Sequence, residues 1–381
     1  TTVAAQQSGW DEQLVELDAL RADPGFAGVD GSGIRVVVID TGIDATHPFF
    51  QGRIVYQYDF ADNDNQAVDV NGHGTHVAGV IAGADAMFGG VAQGAELIVL
   101  KVFGNDGSGS FRNLERALQW VNNNAEAYNI GVVNLSLGDG GNWTDAGSRY
   151  GLGDEFAALA ARNIISVAAS GNNYAGVNAL GVAYPGSDPA VLAVGAVWTG
   201  DFGGPWKFGN GGVDEATGED RIASFSQRDP DQIDTFAPGA RLTSAAIGGG
   251  VRTMQGTSQS AAYVSGVAAL AQQLAREHLG RSLTVGEFRE LLVSTAVTIH
   301  DGDDERDNVA NSGLDFPRLD VKAMADAILA MAGTGGGGGD GSPGDGSSPG
   351  GDQPTPVDPA AGGGGLHVDL TAGQQVLDAD F

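Results

Sequence analysis

Short apolar runs that alternate with stretches of helical periodicity constrain the fold of this chain more than any other feature. Five runs, rich in β-branched side chains and apolar on both faces, span residues 34–39, 97–102, 132–137, 164–169 and 191–197. Strands of this kind are typical of parallel sheets that helices cover on each side. Helical patterns separate several of these runs and follow the last, at residues 75–82, 111–128, 258–276 and after a capping box at 284–287. The sequence therefore predicts an α/β fold with a doubly wound, mostly parallel sheet and helices on both faces.

A change of composition divides the chain near Gly333. Between Gly333 and Gly365, fifteen of 33 residues are glycine, and Pro, Ser and Asp fill most of the rest. Such a composition is typical of a flexible linker. We therefore predict four regions: an N-terminal extension (1–29) that packs on a main domain (30–332), the linker (333–365), and the start of a further, truncated module (366–381).

The charge and the residue usage exclude several classes of partner and site. The chain carries 48 acidic against 19 basic side chains, a net charge of −29, which argues against nucleic acids and anionic membranes as partners. No apolar run is long enough to predict a membrane-spanning helix. The absence of cysteine excludes thiol catalysis, disulfides and Cys-based zinc sites, and it is compatible with an extracellular location.

Three polar side chains stand in glycine-rich surroundings next to apolar runs. Asp40 closes the first run in V-I-D-T-G-I-D, His73 lies between two glycines in N-G-H-G-T-H, and Ser258 follows G-T before a helix. Each has a second interpretation: Asp40 as a turn residue, Ser258 as a helix cap, and His73 with His76 as a pair of metal ligands. The order Asp, His, Ser favours a triad in which an imidazole activates a serine hydroxyl.

These motifs resemble those of the subtilisin-like serine proteases, the subtilases of peptidase family S8. The resemblance covers roughly residues 30–330 and rests on D-T-G-I-D (40–44), G-H-G-T-H-V-A-G (72–79), N-L-S-L-G (134–138), A-A-S-G-N (168–172), A-P-G (237–239) and G-T-S (256–258). It implies that residues 30–332 form a subtilisin-like catalytic domain. It also implies an N-terminal propeptide in the precursor.

The resemblance assigns a role to each candidate catalytic residue. Ser258 would attack the scissile carbonyl, and His73 would take its proton and pass it to the leaving amine. Asp40 would orient His73 and stabilise its imidazolium form. Asn172 matches the family's oxyanion asparagine, which with the backbone N–H of Ser258 would hold the developing negative charge.

A peptide substrate is expected to bind as an added strand. The resemblance places the binding residues on facing edges and at the floor of the first specificity pocket, at Gly107, Ser108, Gly109, Ser136, Leu137, Gly138, Ala169, Ser170, Gly171 and Ala183. Because the floor residue is the neutral Ala183, we predict a pocket that prefers large apolar side chains. The neighbouring Asp139 leaves a basic preference open.

The segment that follows Ser258 departs from the family pattern G-T-S-M-A-[AST]-P-H-V-A-G. The departures are Gln259, Ser260, Ala262, Tyr263 and Ser265. Alanine in place of proline is a good helix former, so we expect the helix to form. The polar side chains need partners if they are buried, so the departures put the packing of this helix in question rather than its chemistry.

Two acidic segments are candidate calcium sites, because alternating oxygen ligands suit Ca²⁺. Neither contains a complete calcium-loop consensus, so a solvated loop is the alternative in each case. Phe49 stands where many relatives carry a calcium-binding acid, so that site lacks one ligand. The candidate ligands are Asp62, Asp64, Asp69, Asp301, Asp303, Asp304 and Asp307.

Together these features predict a secreted, monomeric serine endopeptidase that forms an acyl-enzyme and needs no cofactor for catalysis. Calcium is expected only in a structural role. Two alternatives stay open: a maturation protease with narrow specificity for one partner protein, and a non-catalytic binding module with the subtilase fold.

Overall fold

A nine-stranded sheet forms the centre of the computed structural model, which describes residues 9–302, 305–334 and 369–372. The strands, numbered along the chain, are β1 (Arg35–Asp40), β2 (Ile54–Asp59), β3 (Glu96–Lys101), β4 (Gly109–Ser110), β5 (Ile130–Leu135), β6 (Leu137–Gly138), β7 (Ile165–Ala169), β8 (Leu192–Trp198), β9 (Trp206–Lys207), β10 (Val213–Ala216), β11 (Ile233–Ala240), β12 (Leu242–Ala245), β13 (Val251–Met254), β14 (Val297–His300), β15 (Arg306–Asp307), β16 (Asp315–Arg318) and β17 (Asp369–Ala372).

The order in the large sheet is β14-β16-β11-β8-β7-β5-β1-β3-β2. Every neighbouring pair in it is parallel except β14 and β16 at one edge. Strands β3 and β5 lie on opposite sides of β1, so the chain changes direction across the sheet there. In such sheets, sites form at the carboxyl ends of the strands where the direction changes. The carboxyl ends of β1 and β5 carry Asp40 and the segment around Ser136.

The helices pack on both faces of the sheet, which confirms the predicted fold class. The two main hydrophobic cores lie on opposite faces, because β1 contributes Val36 and Val38 to one and Val37 and Ile39 to the other. The helices are α1 (Trp10–Leu14), α2 (Leu17–Ala22), α3 (His73–Ala82), α4 (Phe111–Asn124), α5 (Gly153–Ala160), α6 (Tyr174–Val177), α7 (Thr257–Leu279), α8 (Val285–Ser294) and α9 (Val321–Thr334). Helices α3, α7 and α9 share the first core, and α4 and α5 share the second.

All five predicted strands are present, as β1, β3, β5, β7 and β8. The capping box is present as well, since the Thr284 hydroxyl accepts from the backbone N–H of Glu287 and the Glu287 carboxylate accepts from that of Thr284. Strands β2 and β11 were not predicted. Most of β2 is only half-buried, and β11 contains Pro238 and Gly239, so neither has the continuous apolar run of a covered strand.

The structure describes the segments before and after the main domain only in part. Val15, Leu17 and Leu20 are buried in the first core, so the described part of the N-terminal extension packs on the main domain. Helix α9 continues to Thr334, just past the predicted start of the linker. The rest of the linker lies outside the described residues, as does most of the region predicted to begin a further module. No helix in the described ranges is long and apolar enough to cross a membrane.

Candidate active site

Asp40 and His73 form a buried pair at the carboxyl end of β1. Asp40 is the last residue of β1 and His73 the first of α3, and Nδ1 of His73 donates to Oδ1 of Asp40 at 2.7 Å. Both side chains have a relative exposure of 0%. The two segments approach so closely that a Cβ at Gly74 would clash with the carbonyl oxygen of Gly42. The glycine after His73 is therefore required by the packing of α3 against the β1 loop.

The pKa of His73 lies above its ordinary value. Burial by itself lowers this pKa, because the interior solvates an imidazolium poorly. The charge of Asp40 and its hydrogen bond outweigh burial, and the charge of Asp69 adds to them. The site therefore stabilises a protonated His73, which is the state a general base reaches after it has accepted a proton.

Asp69 holds the loop that leads into α3. One of its oxygens accepts from the Thr41 hydroxyl and the backbone N–H of Gly72, and the other accepts from the backbone and the hydroxyl of Thr75. Burial raises the pKa of Asp69, but these hydrogen bonds outweigh burial and the net pKa is lowered. Because Thr41 in turn accepts from the backbone N–H of Gly74, Asp69 links the β1 loop to the first turn of α3.

Ser258 is the second residue of α7 and is fully buried. Its hydroxyl donates to the carbonyl oxygen of Ser136 at 3.1 Å, and the hydroxyl of Ser136 donates to the carbonyl of Ser258 at 2.7 Å. Nε2 of His73 has no hydrogen-bond partner among the described residues. The structure therefore joins the start of α7 to the segment after β5.

Asn172 is held against the residue that precedes Ser258. Its side-chain oxygen accepts from the backbone N–H and the hydroxyl of Thr257, both at 2.9 Å, and its backbone carbonyl accepts from Asn210. These bonds orient the amide with its oxygen toward α7. The sequence motifs indicated Asn172 but not the role of Thr257, for which the only signal was its place in G-T-S.

Several residues predicted to line the substrate cleft are close neighbours in the structure. Ala183 donates its backbone N–H to the carbonyl of Ser170, and a Cβ at Gly138 or Gly171 would lie 3.4 Å or 3.0 Å from the Cβ of Ala183. Gly138 and Gly171, from two of the predicted edges, are therefore neighbours of the floor residue Ala183. Ala169, at the end of β7, is buried in the first core.

The opposite edge of the predicted substrate cleft lies in β4 and in the turn before it. Strands β4 and β6 are the outer members of a small three-stranded sheet, with β17 between them. Gly109 lies in β4, but Gly107 and Ser108 belong to the preceding turn, where Ser108 bonds to Asp106. Gly109 and Ser110 are the residues of this segment that pair with β17.

Asp139 directly follows β6, and four nearby groups donate hydrogen bonds to its carboxylate. Its carboxylate accepts from the Trp143 indole, the Tyr150 hydroxyl and the backbone N–H groups of Gly141 and Tyr184. A carboxylate engaged by four donors is a weaker partner for a charged group in the adjacent pocket.

Helix α7 forms over Thr257–Leu279 despite its departures from the family pattern. The hydroxyl of Ser260 donates to the carbonyl of Ala237, and that of Ser265 donates to the side chain of Asn134. The amide of Gln259 and the hydroxyl of Tyr263 are buried without hydrogen-bond partners among the described residues. Each such atom lowers the free energy of unfolding by about 1–3 kcal/mol. Because Ser260 and Ser265 have partners, the expected packing problem is confined to Gln259 and Tyr263.

The second histidine of the motif is structural. Nε2 of His76 lies 3.2 Å and 3.1 Å from the carbonyl oxygens of Leu242 and Arg252, to which it can only donate. Burial, helped by the charge of His73, lowers the pKa of His76 to about 3. Since His73 is committed to Asp40, the two histidines do not form a metal-binding pair.

The acidic calcium candidates are engaged in other contacts where they are described. No group of three or more His, Asp or Glu side chains suited to a metal occurs in residues 9–302, 305–334 and 369–372. Asp69 is saturated by the donors named above, Asp62 accepts from Asn105, and Asp64 accepts from the backbone of Gln66. Asp301 forms a buried ion pair with Arg228, and Asp307 accepts from the backbone of Val309. Asp303 and Asp304 lie outside the described residues.

The chain is similar to known proteases of one family. The model of the subtilase family matches residues 31–319. Alkaline serine exoprotease A of Vibrio alginolyticus is 34% identical over 76% of this chain and 47% of its own length. M-protease of Shouchella clausii is 35% identical over 71% of this chain and 61% of its own length, and subtilisin-like protease 3 of Arthroderma benhamiae is 35% identical over 63% and 52%.

Among solved structures, that of a cold adapted subtilisin-like serine proteinase matches with a TM-score of 0.59 and 31% identity. The match covers 77% of this chain and 91% of that one. The chain spans about half the length of the curated relatives it matches, up to 61% in the case of M-protease. Because the family model covers well over half of this chain, the chain belongs to the subtilase family.

Proposed function

We propose that this chain is a secreted serine endopeptidase that hydrolyses peptide bonds through an acyl-enzyme on Ser258. One observation carries the proposal: in a member of the subtilase family, His73 donates to Asp40 at 2.7 Å, and both side chains are fully buried at the carboxyl end of β1. The proposed chemistry uses side chains and backbone groups of this chain together with one water molecule.

In the proposed mechanism, the Ser258 hydroxyl leaves the carbonyl of Ser136 and attacks the scissile carbonyl carbon. Nε2 of His73 accepts the hydroxyl proton, and Asp40 stabilises the resulting imidazolium. His73 then protonates the leaving amine, which breaks the peptide bond and leaves an ester on Ser258. Water deprotonated by His73 hydrolyses this ester and restores the serine.

The negative charge of the tetrahedral intermediate needs donors that are already in place. The bonds from Thr257 to the oxygen of the Asn172 amide support a role for its NH₂ group as one donor, and the backbone N–H of Ser258 is the other. Loss of one such donor typically lowers kcat by about 10²–10³-fold.

A digest of a peptide library tests the activity and the pocket together. We expect cleavage after large apolar residues, because the floor residue Ala183 is neutral and Asp139 is engaged by four donors. An Ala183→Asp variant should gain cleavage after Arg and Lys, since a buried carboxylate would then face the substrate. Cleavage after Arg or Lys by the parent would contradict the proposed pocket.

The same digest distinguishes the alternatives. Cleavage of one sequence motif only would favour a maturation protease of narrow specificity. If the folded chain cleaves nothing in the library, the result favours a binding module.

The proposal includes secretion, a monomeric state and an N-terminal propeptide in the precursor. The absence of cysteine and the strongly acidic composition are compatible with a secreted protein. The relative from Vibrio alginolyticus is named as an exoprotease, which agrees with that location.

Structural calcium remains a proposal for the late acidic loop (301–308). The segment ahead of His73 fits poorly, because Asp69 is saturated by hydrogen bonds. In the late loop, Oδ2 of Asp307 is buried without a hydrogen-bond partner among the described residues, so this oxygen is available as one ligand. Excess chelator should lower the melting temperature by several degrees, and restored calcium should reverse this loss. An unchanged melting temperature would remove the calcium proposal.

A further inference from the structure

Residues 369–372 occupy the cleft in which a substrate is proposed to bind. We propose that this segment, the cleft strand (Asp369–Ala372), is an intramolecular inhibitor that competes with peptide substrates. The inference rests on the proposed function, because inhibition has meaning only if the chain cleaves peptides.

The cleft strand pairs with both edges of the cleft. It is antiparallel to β4, with Asp369 opposite Ser110 and Leu370 opposite Gly109, and antiparallel to β6, with Thr371 opposite Gly138 and Ala372 opposite Leu137. The central strand of such a sheet uses the backbone donors and acceptors of both neighbours. A substrate that binds by strand addition needs the same groups, so the two cannot bind together.

The direction of the cleft strand is that of a substrate approaching the nucleophile. Its first residue, Asp369, lies opposite Ser110, and its last residue, Ala372, lies opposite Leu137. Leu137 directly follows Ser136, whose carbonyl accepts the hydrogen bond of the Ser258 hydroxyl. The carboxyl end of the cleft strand therefore leads toward Ser258, as the acyl side of a peptide substrate must.

The connection to the main domain makes this competition intramolecular. Residues 335–368, 34 in number, lie between α9 and the cleft strand. A chain of this length can span at most about 110–120 Å, which is ample for a domain of this size. Tethering gives the strand an effective concentration of about a millimolar, independent of the protein concentration. Since only four residues pair, we expect a reversible rise in the apparent KM rather than complete inhibition.

A double-proline variant of the full chain, Leu370→Pro with Thr371→Pro, tests the proposal. Consecutive residues of a central strand donate to opposite neighbours, so the two prolines remove a donor toward each edge. The matched control, Ser347→Pro with Ser348→Pro, places the same change in the linker region. With a chromogenic peptide, we expect the L370P/T371P variant to lower the apparent KM about tenfold at unchanged kcat. The control should keep the parent KM.

An equal KM in all three proteins would overturn the proposal. A parent KM that rises with protein concentration would also overturn it, because it would show binding between separate chains. Phenylmethylsulfonyl fluoride separates this result from a failure of the proposed function. An adduct on Ser258 by intact mass shows a working nucleophile, whereas no adduct in any of the proteins counts against the protease assignment itself.

A second measurement does not depend on catalysis. In a Ser258→Ala background, amide hydrogen exchange at 109–110 and 137–138 reports pairing with the cleft strand. We expect exchange in this cleft to be at least about tenfold faster with L370P/T371P than with the control pair. Identical exchange in both variants, with the rest of the domain equally protected, would show that the cleft strand does not occupy the cleft.

Discussion

Replacing Ser258 with alanine should abolish peptide hydrolysis, with kcat lower by about 10⁶-fold. This is the magnitude of the corresponding change in subtilisin. The physical reason is that no acyl-enzyme can form without the hydroxyl. Folding should persist, because alanine is a good helix former at the start of α7. Steady-state kinetics and circular dichroism measure the two effects.

The control for this variant is Ser260→Ala, two residues further along the same helix. The hydroxyl of Ser260 donates to the backbone carbonyl of Ala237, whereas the hydrogen bond of His73 goes to Asp40. We expect S260A to lose some stability and to keep kcat within a few fold of the parent. Full activity in S258A would disprove the assignment of the nucleophile.

Replacing Asp40 with asparagine should lower kcat by about 10⁴-fold, the loss known for the equivalent change in a serine protease triad. Asparagine can accept or donate at His73 but carries no charge, so it neither selects the tautomer nor stabilises the imidazolium. The variant keeps nearly the same shape, so the loss should appear in kcat and not in folding.

The same substitution should move the pH dependence. His73 must be neutral to act as a base, and Asp40 raises its pKa above the ordinary value. In the parent, kcat/KM should therefore rise with pH through a pKa above about 6.5. In D40N, His73 stays buried but the charge of Asp40 is lost, so the pKa of His73 should fall. The rise of kcat/KM with pH, the acid limb of the profile, should therefore shift to lower pH. A matched change at the exposed Asp201, D201N, should leave the profile unchanged. An identical acid limb in D40N and the parent would rule out Asp40 as the charge that raises this pKa.

Much of the fold could be predicted because the relevant signals are local. The strands β1, β3, β5, β7 and β8 are buried on both faces, so each appears in the sequence as a continuous apolar run. Strand β2 is partly exposed and β11 is interrupted by Pro238 and Gly239, and such strands have no comparable pattern. Pairing with neighbours, rather than composition, makes them strands.

In the candidate site, too, the sequence indicates the residues in local motifs but not the contacts that hold them. Asp40, His73, Asn172 and Ser258 stand in short motifs that can be recognised without a structure. The contacts that hold them depend on segments far apart in the chain, such as Thr257 with Asn172. Asp69 is a further example. The acidic composition of its segment makes it a candidate calcium ligand, whereas in the structure its carboxylate accepts hydrogen bonds from Thr41 and Thr75.

The fold class, the family resemblance and the four residues proposed for catalysis follow from the sequence alone, because periodicity and motifs depend on neighbouring positions. Which buried side chains find partners depends on the tertiary structure: among the described residues, the hydroxyl of Ser265 has a partner and the side-chain amide of Gln259 has none. Only the tertiary structure placed residues 369–372 between β4 and β6, more than 200 residues away in the chain. Four residues of alternating character carry no signal for a particular partner, because backbone hydrogen bonds are the same for every strand. The open edges of the folded cleft select the position of this strand.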